Sequence, residues 1–127
     1  MKTLTLLLGL IFSISTSVFS QLSGPEMTFE QTVHDFGNVK QYAPSTYEFK
    51  FTNTGNAPLI ISNAEGTCGC TIPTWPQHPI APGATGVIIV KYDSKRVGPF
   101  KKSVKITSNA SSNPNMELRI QGTIITQ

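Results

Sequence analysis

The residues best suited to chemistry are Cys68 and Cys70, the only two cysteines of the chain, which a single glycine separates. Side chains two positions apart in a strand point the same way, with Cα atoms about 6.6 Å apart. This separation lies near the upper limit of about 6.8 Å for a disulfide, so some bending of the chain is required, which Gly69 permits. We therefore expect a local disulfide. The ring that it closes is so short that chain entropy contributes only about 1.6 kcal/mol to the free energy of unfolding.

Two other roles of the cysteine pair stay open beside the disulfide. Thiolates select soft metals such as Cu(I), but two sulfur atoms need a third ligand, and His34 and His78 are the only histidines of the chain. The candidate metal ligands are therefore Cys68, Cys70 and His78. The other role is thiol redox exchange, although thioredoxin-like motifs place two residues, rather than one, between the cysteines. We predict neither a bound metal nor a cofactor.

The remaining polar residues lack the patterns that catalysis needs. His34-Asp35 combines the residue types of a base and its orienting carboxylate, yet a structural place for His34 is the preferred interpretation. A hydrolase would need His34, His78 or Cys68 to share a pocket with an acid, which the spacing does not predict. No G-x-S-x-G, H-E-x-x-H or glycine-rich phosphate loop occurs, and the seven carboxylates are scattered. We predict no catalytic residues and no enzyme.

Trp75 and His34 are the side chains that could contact a ligand without catalysis. Trp75 is the only tryptophan and lies in a proline-rich stretch beside the cysteines. An amphipathic ring at this place can either cover the core or stack on a ligand, and we favour the cover.

The first twenty residues have the layout of a secretory signal peptide, with Lys2, an apolar run from Leu4 to Phe12 and small residues up to Ser20. Cleavage after Ser20 leaves residues 21–127 as a single domain, a length that suits one hydrophobic core. The apolar run is too short to span a bilayer, so we expect no integral membrane segment in the mature chain. The predicted location is periplasmic or secreted, where oxidising conditions favour a disulfide.

The formal net charge of +3, one unit of which leaves with Lys2, is too small for the strong positive field of a nucleic-acid-binding protein. We therefore predict no nucleic-acid partner. One basic cluster stands out, formed by Lys95, Arg96, Lys101, Lys102 and Lys105. A solvated strand face that discourages pairing between sheet edges is the preferred interpretation, and a patch for an anionic ligand is the alternative.

Apolar residues of the mature chain recur with a period of two between turns of Gly, Pro, Asn and Ser, which indicates an all-β fold. The clearest strands contain Tyr47, Phe49 and Phe51 and, later, Gly86 to Tyr92. About seven such strands fit an immunoglobulin-like antiparallel β-sandwich. The segment from Cys68 to Gly83 contains four prolines, so we expect an irregular connection that covers one end of the sandwich. The other predicted strands lie near Met27 to Phe29, Val33, Leu59 to Ile61, Val104 to Ile106 and Met116 to Ile120.

A set of short segments spread over nearly the whole mature chain resembles a known family. The segments are His34-Asp35-Phe36-Gly37, Phe51-Thr52-Asn53-Thr54-Gly55, Pro58-Leu59, Cys68-Gly69-Cys70-Thr71, Pro73 to Pro76, Pro79 to Gly83 and Ser108-Asn109. They resemble the bacterial domain-of-unknown-function family 1573 (DUF1573). The resemblance implies an immunoglobulin-like sandwich similar to the Hydin-type and major-sperm-protein-type domains, in exported proteins without an established activity.

Two classes of function follow. The preferred class is a non-catalytic exported module that binds or scaffolds in the cell envelope, because sandwiches recognise partners through loops and exposed strand edges. Its expected partner is another envelope protein or a surface polymer. The alternative class is thiol redox chemistry or Cu(I) binding through Cys68-Gly69-Cys70.

Overall fold

The computed structural model describes residues 24–127, together with Gly9, Ile11 and Ser13. Apart from these three residues, the predicted signal peptide, residues 1–20, lies outside the described part of the chain. Residues 24–127 form eight β-strands and no helix. The strands are β1 (Met27–Phe29), β2 (Val33–Lys40), β3 (Thr46–Asn53), β4 (Ile61–Gly66), β5 (Thr71–Thr74), β6 (Thr85–Tyr92), β7 (Gly98–Ser108) and β8 (Asn115–Ile125).

The strands form two four-stranded sheets that pack face to face. One sheet has the order β1-β3-β6-β5 and the other has the order β2-β8-β7-β4. This arrangement confirms the predicted immunoglobulin-like sandwich. One pair departs from the antiparallel pattern, because β2 runs parallel to β8. Five strands separate these two in the chain, and they provide the long connection that a parallel pair requires.

The core lies between the inner faces of the two sheets, and β3 shows how the sequence builds it. Phe49 and Phe51 are fully buried, whereas Glu48 and Lys50, which alternate with them, are exposed. Burial of one such ring stabilises the fold by roughly 1.5–3 kcal/mol. The other fully buried side chains of the core include Leu59, Ile88, Val90, Val104, Ile106, Leu118, Ile120 and Ile124.

The proline-rich segment contains a strand, β5, that the sequence did not lead us to expect. It pairs with β6 at the edge of its sheet. The Asp93 N–H donates a 2.8 Å hydrogen bond to the Cys70 carbonyl, so the alternation of the ladder turns the backbone groups of Thr71 and Pro73 away from β6. The missing N–H of Pro73 therefore costs the β5–β6 ladder no hydrogen bond. Residues 75–79 are irregular, as predicted.

Asn53, at the end of β3, is a fully buried polar residue that connects three parts of the chain. Its amide nitrogen donates to the carbonyl oxygens of Ala57 and Ile80, at 2.8 and 2.9 Å. Its side-chain oxygen accepts from the backbone N–H groups of Glu26 and Gly55, at 3.2 and 3.0 Å. The side chain thus makes all four hydrogen bonds that an amide can make, and it fixes the start of β1, the turn after β3 and the proline-rich segment.

Candidate functional site

The cysteine pair lies in the short connection between β4 and β5. Cys68 and Cys70 are joined as a disulfide, with Cα atoms 5.2 Å apart, shorter than the separation in an extended strand. The bend comes from a turn in which the Thr71 N–H donates to the Cys68 carbonyl at 3.2 Å. Gly69 takes part without a left-handed φ, and a Cβ at this position would meet no atom within 4 Å. The turn therefore does not depend on the conformational freedom of glycine that we invoked from sequence.

Both ends of the disulfide connection are fixed to neighbouring strands. The Thr67 N–H donates to the Ser103 carbonyl of β7 at 3.0 Å, and the Asp93 N–H donates to the Cys70 carbonyl at 2.8 Å. The connection therefore bridges the two sheets at one end of the sandwich. A thiol pair held on both sides has little freedom to rearrange toward a third ligand.

The described residues contain no group of three or more His, Cys, Asp and Glu side chains that could hold a metal ion. The two cysteines therefore do not form a cluster with His34 or His78 in the described part of the chain. His78 is exposed in the irregular stretch between β5 and β6. His34 lies on β2, in a different environment.

His34 occupies a structural position between aromatic rings. Its imidazole stacks on the Tyr47 ring, with centroids 3.6 Å apart and planes 7° from parallel, and it meets the edge of Phe36 at 4.6 Å. Burial lowers the pKa of His34 below its ordinary value of 6.5, and the neighbouring Asp35 carboxylate opposes that shift. A neutral imidazole at neutral pH suits a packed ring.

The carboxylate of Asp35 is engaged in local structure rather than in orienting His34. It accepts hydrogen bonds from the Gly37 N–H at 2.8 Å and from the Gln121 amide at 3.2 Å. These two bonds, in that order, lower the pKa of the Asp35 carboxyl. His34 and Asp35 thus shape β2 and carry no arrangement of a catalytic base.

Trp75 is half-buried and packs against the hydrophobic core. Its backbone carbonyl accepts a 3.1 Å hydrogen bond from the Gln77 amide, which fixes the irregular stretch behind β5. The position agrees with a ring that covers the core.

The free edges of the two sheets are a feature whose position the sequence does not reveal. At one side of the sandwich, the edge strands β4 and β5 of the two sheets lie against each other. The backbone of Gly66 approaches the Thr71 carbonyl so closely that a Cβ atom on residue 66 would overlap the carbonyl oxygen. At the other side, β1 is only three residues long. The remaining edge, β2, runs for eight residues and has β8 as its single neighbour in the sheet.

The backbone of β2 presents unpaired groups along this edge. The Arg119 N–H donates to the Thr32 carbonyl at 2.8 Å while Arg119 lies opposite Val33, so the N–H and C=O of Val33 point away from β8. At the other end, Lys40 lies opposite Ile125, whose carbonyl accepts a 2.8 Å bond from the Gln41 N–H, so the Lys40 backbone groups also point away from β8. Of these two groups only the N–H is unpaired, because the Lys40 carbonyl accepts a 2.9 Å bond from the Ala43 N–H. A register shift between Asp35 and Asn38 divides the edge into two short stretches. The sequence carries no alternation that would reveal this edge, because the apolar residues Val33 and Phe36 are three positions apart and fall on opposite faces of the strand.

The described residues include no helix that is long and apolar enough to cross a membrane. Comparison with curated proteins gives no match to the chain.

Solved structures of similar fold include a protein of unknown function from Porphyromonas gingivalis W83, with a TM-score of 0.72 and 13% identity over 87% of this chain and 51% of the other. This chain thus spans about half the length of that protein. PapD-like domain 7 of human CEP192 matches with a TM-score of 0.64 and 9% identity, over 80% of this chain and 87% of the other. The YadV chaperone matches with a TM-score of 0.55 and 13% identity, over 78% and 52%. At these identities the likeness shows the fold alone.

The sequence itself also matches a family model. The model describes a protein of unknown function, DUF1573, and it covers residues 27–124, from the first strand to the last. The match includes the cysteine pair, Asn53 and the whole of β2. The chain belongs to the DUF1573 family.

Proposed function

We propose that the protein is a non-catalytic exported module of the cell envelope that binds an extended segment of another envelope protein along the free edge of β2. Main-chain hydrogen bonds to an exposed sheet edge give affinity in this mode of recognition, and pockets for alternate side chains give specificity.

The observation that carries the proposal is the eight-residue edge of β2. The outward N–H and C=O of Val33 and the outward N–H of Lys40 can pair with an added strand. Val33 also keeps 47% of its surface exposed beside these groups, which provides apolar contact. Long free edges are a liability for aggregation, and the chain limits that risk here with Asp35, Lys40 and the register shift.

The fixed connection around the cysteines supports a structural role for the pair rather than a thiol or Cu(I) site. Both sulfur atoms approach the Thr71 hydroxyl, at 3.6 Å from Cys68 and 3.8 Å from Cys70. The described residues bring no third ligand to them. The alternative function therefore has weaker support than the edge.

Site-specific photo-cross-linking in cells tests the proposal. A cross-linking amino acid replaces Asn38, which is exposed on the free edge, or Lys105, which is exposed on the inner strand β7 of the same sheet. A binding edge gives one discrete protein adduct from position 38 and none from position 105. Equal adducts from both positions, or no adduct from position 38, would refute the proposed edge.

A further inference from the structure

A cleft of about 510 Å³ lies beside the disulfide, between the two sheets. Its floor contains Tyr92 of β6 and Phe100 of β7, whose rings stack with centroids 3.9 Å apart and planes 11° from parallel. The segment Cys68-Gly69-Cys70 also lines the cleft. The volume falls within the range of about 300–1,000 Å³ that small-molecule sites occupy.

The cleft gathers four of the five residues of the basic cluster found in the sequence. Its lining includes Lys95, Arg96, Lys101 and Lys102 but a single carboxylate, that of Asp93. Lys105, the fifth member, lines a different depression. The other four residues, although three of them are exposed, thus share one cleft, as the alternative of an anionic-ligand patch would require.

Most of this positive charge is uncompensated. Asp93 lies 3.8 Å from Lys95, and neither of the other two ion pairs of the described residues involves Arg96, Lys101 or Lys102. Arg96 is close enough to the buried Tyr92 hydroxyl to oppose the rise that burial causes in its pKa.

The backbone around these cations is held from several sides. The Gln41 amide donates to the Lys95 carbonyl at 2.8 Å, and the Asp93 N–H donates to Cys70 at 2.8 Å. On the opposite wall, the Thr67 N–H donates to Ser103, the residue after Lys102, at 3.0 Å. The backbone segments that carry the cations are therefore fixed before a ligand arrives, so that binding has to order only their side chains.

We propose that this cleft binds a small multivalent oxyanion, a ligand that carries phosphate or carboxylate groups. A guanidinium offers a planar pair of donors that matches either group, and the lysines add point charges around it. Because Lys95, Arg96 and Lys101 are exposed and screened by salt, a single negative charge gains little, and two or more are needed for useful affinity. The cleft lies beside β7 and the disulfide, so this inference does not depend on the edge of β2.

Calorimetric titration of the full chain at low salt tests the inference, with inorganic pyrophosphate and citrate as the two probes. We expect saturable binding of at least one probe. The stronger of the two identifies the group, phosphate or carboxylate, that the cleft prefers. Arg96→Gln/Lys102→Gln should weaken that binding at least about tenfold, because two charge-assisted contacts are lost.

The matched control is Lys50→Gln/Lys105→Gln, which removes the same charge from exposed positions outside the cleft. It should leave the affinity within about twofold of the parent chain, apart from long-range attraction. The inference is overturned if neither probe binds up to about 10 mM. It is also overturned if the two double variants weaken binding equally, since net charge alone would then explain it. Lys101→Gln provides a second cleft variant if the first shows an altered circular dichroism spectrum.

Discussion

The imidazole of His34 lies flat on the ring of Tyr47, with the two centroids 3.6 Å apart, and this contact joins the edge strand β2 to the opposite sheet. Burial lowers the pKa of His34, with Asp35 opposing. The unfolded chain therefore binds a proton more readily than the folded chain as the pH falls through about 6.5. We expect the free energy of unfolding to decrease between pH 7.5 and 5.5.

Urea unfolding at the two pH values measures this decrease. His34→Phe should remove most of the pH dependence, because an aromatic ring remains on Tyr47 while the titrating group is lost. His78→Gln, which changes the exposed histidine, is the control and should leave the dependence in place. A dependence that survives in His34→Phe would contradict the assignment.

Asn53→Ala should lower the free energy of unfolding by about 3 kcal/mol or more, because it strands buried partners that hydrogen-bond to the amide. Asn56→Ala is the matched control, since Asn56 is exposed and its side chain accepts one bond, from the Gly24 N–H at 2.7 Å. The control should cost about 1 kcal/mol or less. Similar losses in both variants, measured by urea unfolding, would show that Asn53 does not have the connecting role described above.

Gly55, which lies near Asn53, and Gly69, which lies between the cysteines, should differ in their tolerance of alanine. A Cβ at Gly55 would lie 2.6 Å from the Glu26 nitrogen, so Gly55→Ala should cost about 2 kcal/mol. Gly69→Ala should change the free energy of unfolding by less than about 0.5 kcal/mol, since its position is open and its φ is not left-handed. Thermal melts of the two variants distinguish these results. A strongly destabilised Gly69→Ala would mean that the cysteine turn does require glycine.

The cysteine pair should be oxidised in protein taken from an oxidising compartment. We expect intact mass to show no alkylation before reduction and two alkyl groups after it. Cys68→Ser/Cys70→Ser should remain folded and lose only about 1.6 kcal/mol, because the ring is short. Free thiols, or a metal mass that leaves the native ion on denaturation, would favour the thiol or Cu(I) alternative.

The sequence predicted the parts of the fold that depend on local alternation. Phe49 and Phe51 alternate with charged residues, so the inner face of β3 could be identified without a structure. The strand β5 could not be identified in this way. A proline is tolerated in a strand only where the missing N–H would point away from the paired strand, and the sequence alone does not show on which side of Pro73 the paired strand lies.

The candidate site was less predictable, because it too depends on which strands become neighbours. The cysteines, His34 and the basic cluster were visible as residue types, but their surroundings come from other strands. Tyr47 reaches His34 from the opposite sheet, and the cleft beside Cys70 has walls on both sheets. The parallel pairing of β2 with β8 joins segments far apart in the chain, which a period of two cannot reveal.

The most direct test of the account measures the adduct from the cross-linker at position 38 in three further backgrounds. Val33→Pro removes the outward N–H of the β2 edge while keeping the bonds to β8, and Val33→Ala keeps that N–H. We predict that the adduct disappears in Val33→Pro and persists in Val33→Ala and in Cys68→Ser/Cys70→Ser. An adduct that persists in Val33→Pro, or that is lost with the cysteines, would contradict a binding module that works through its free strand edge.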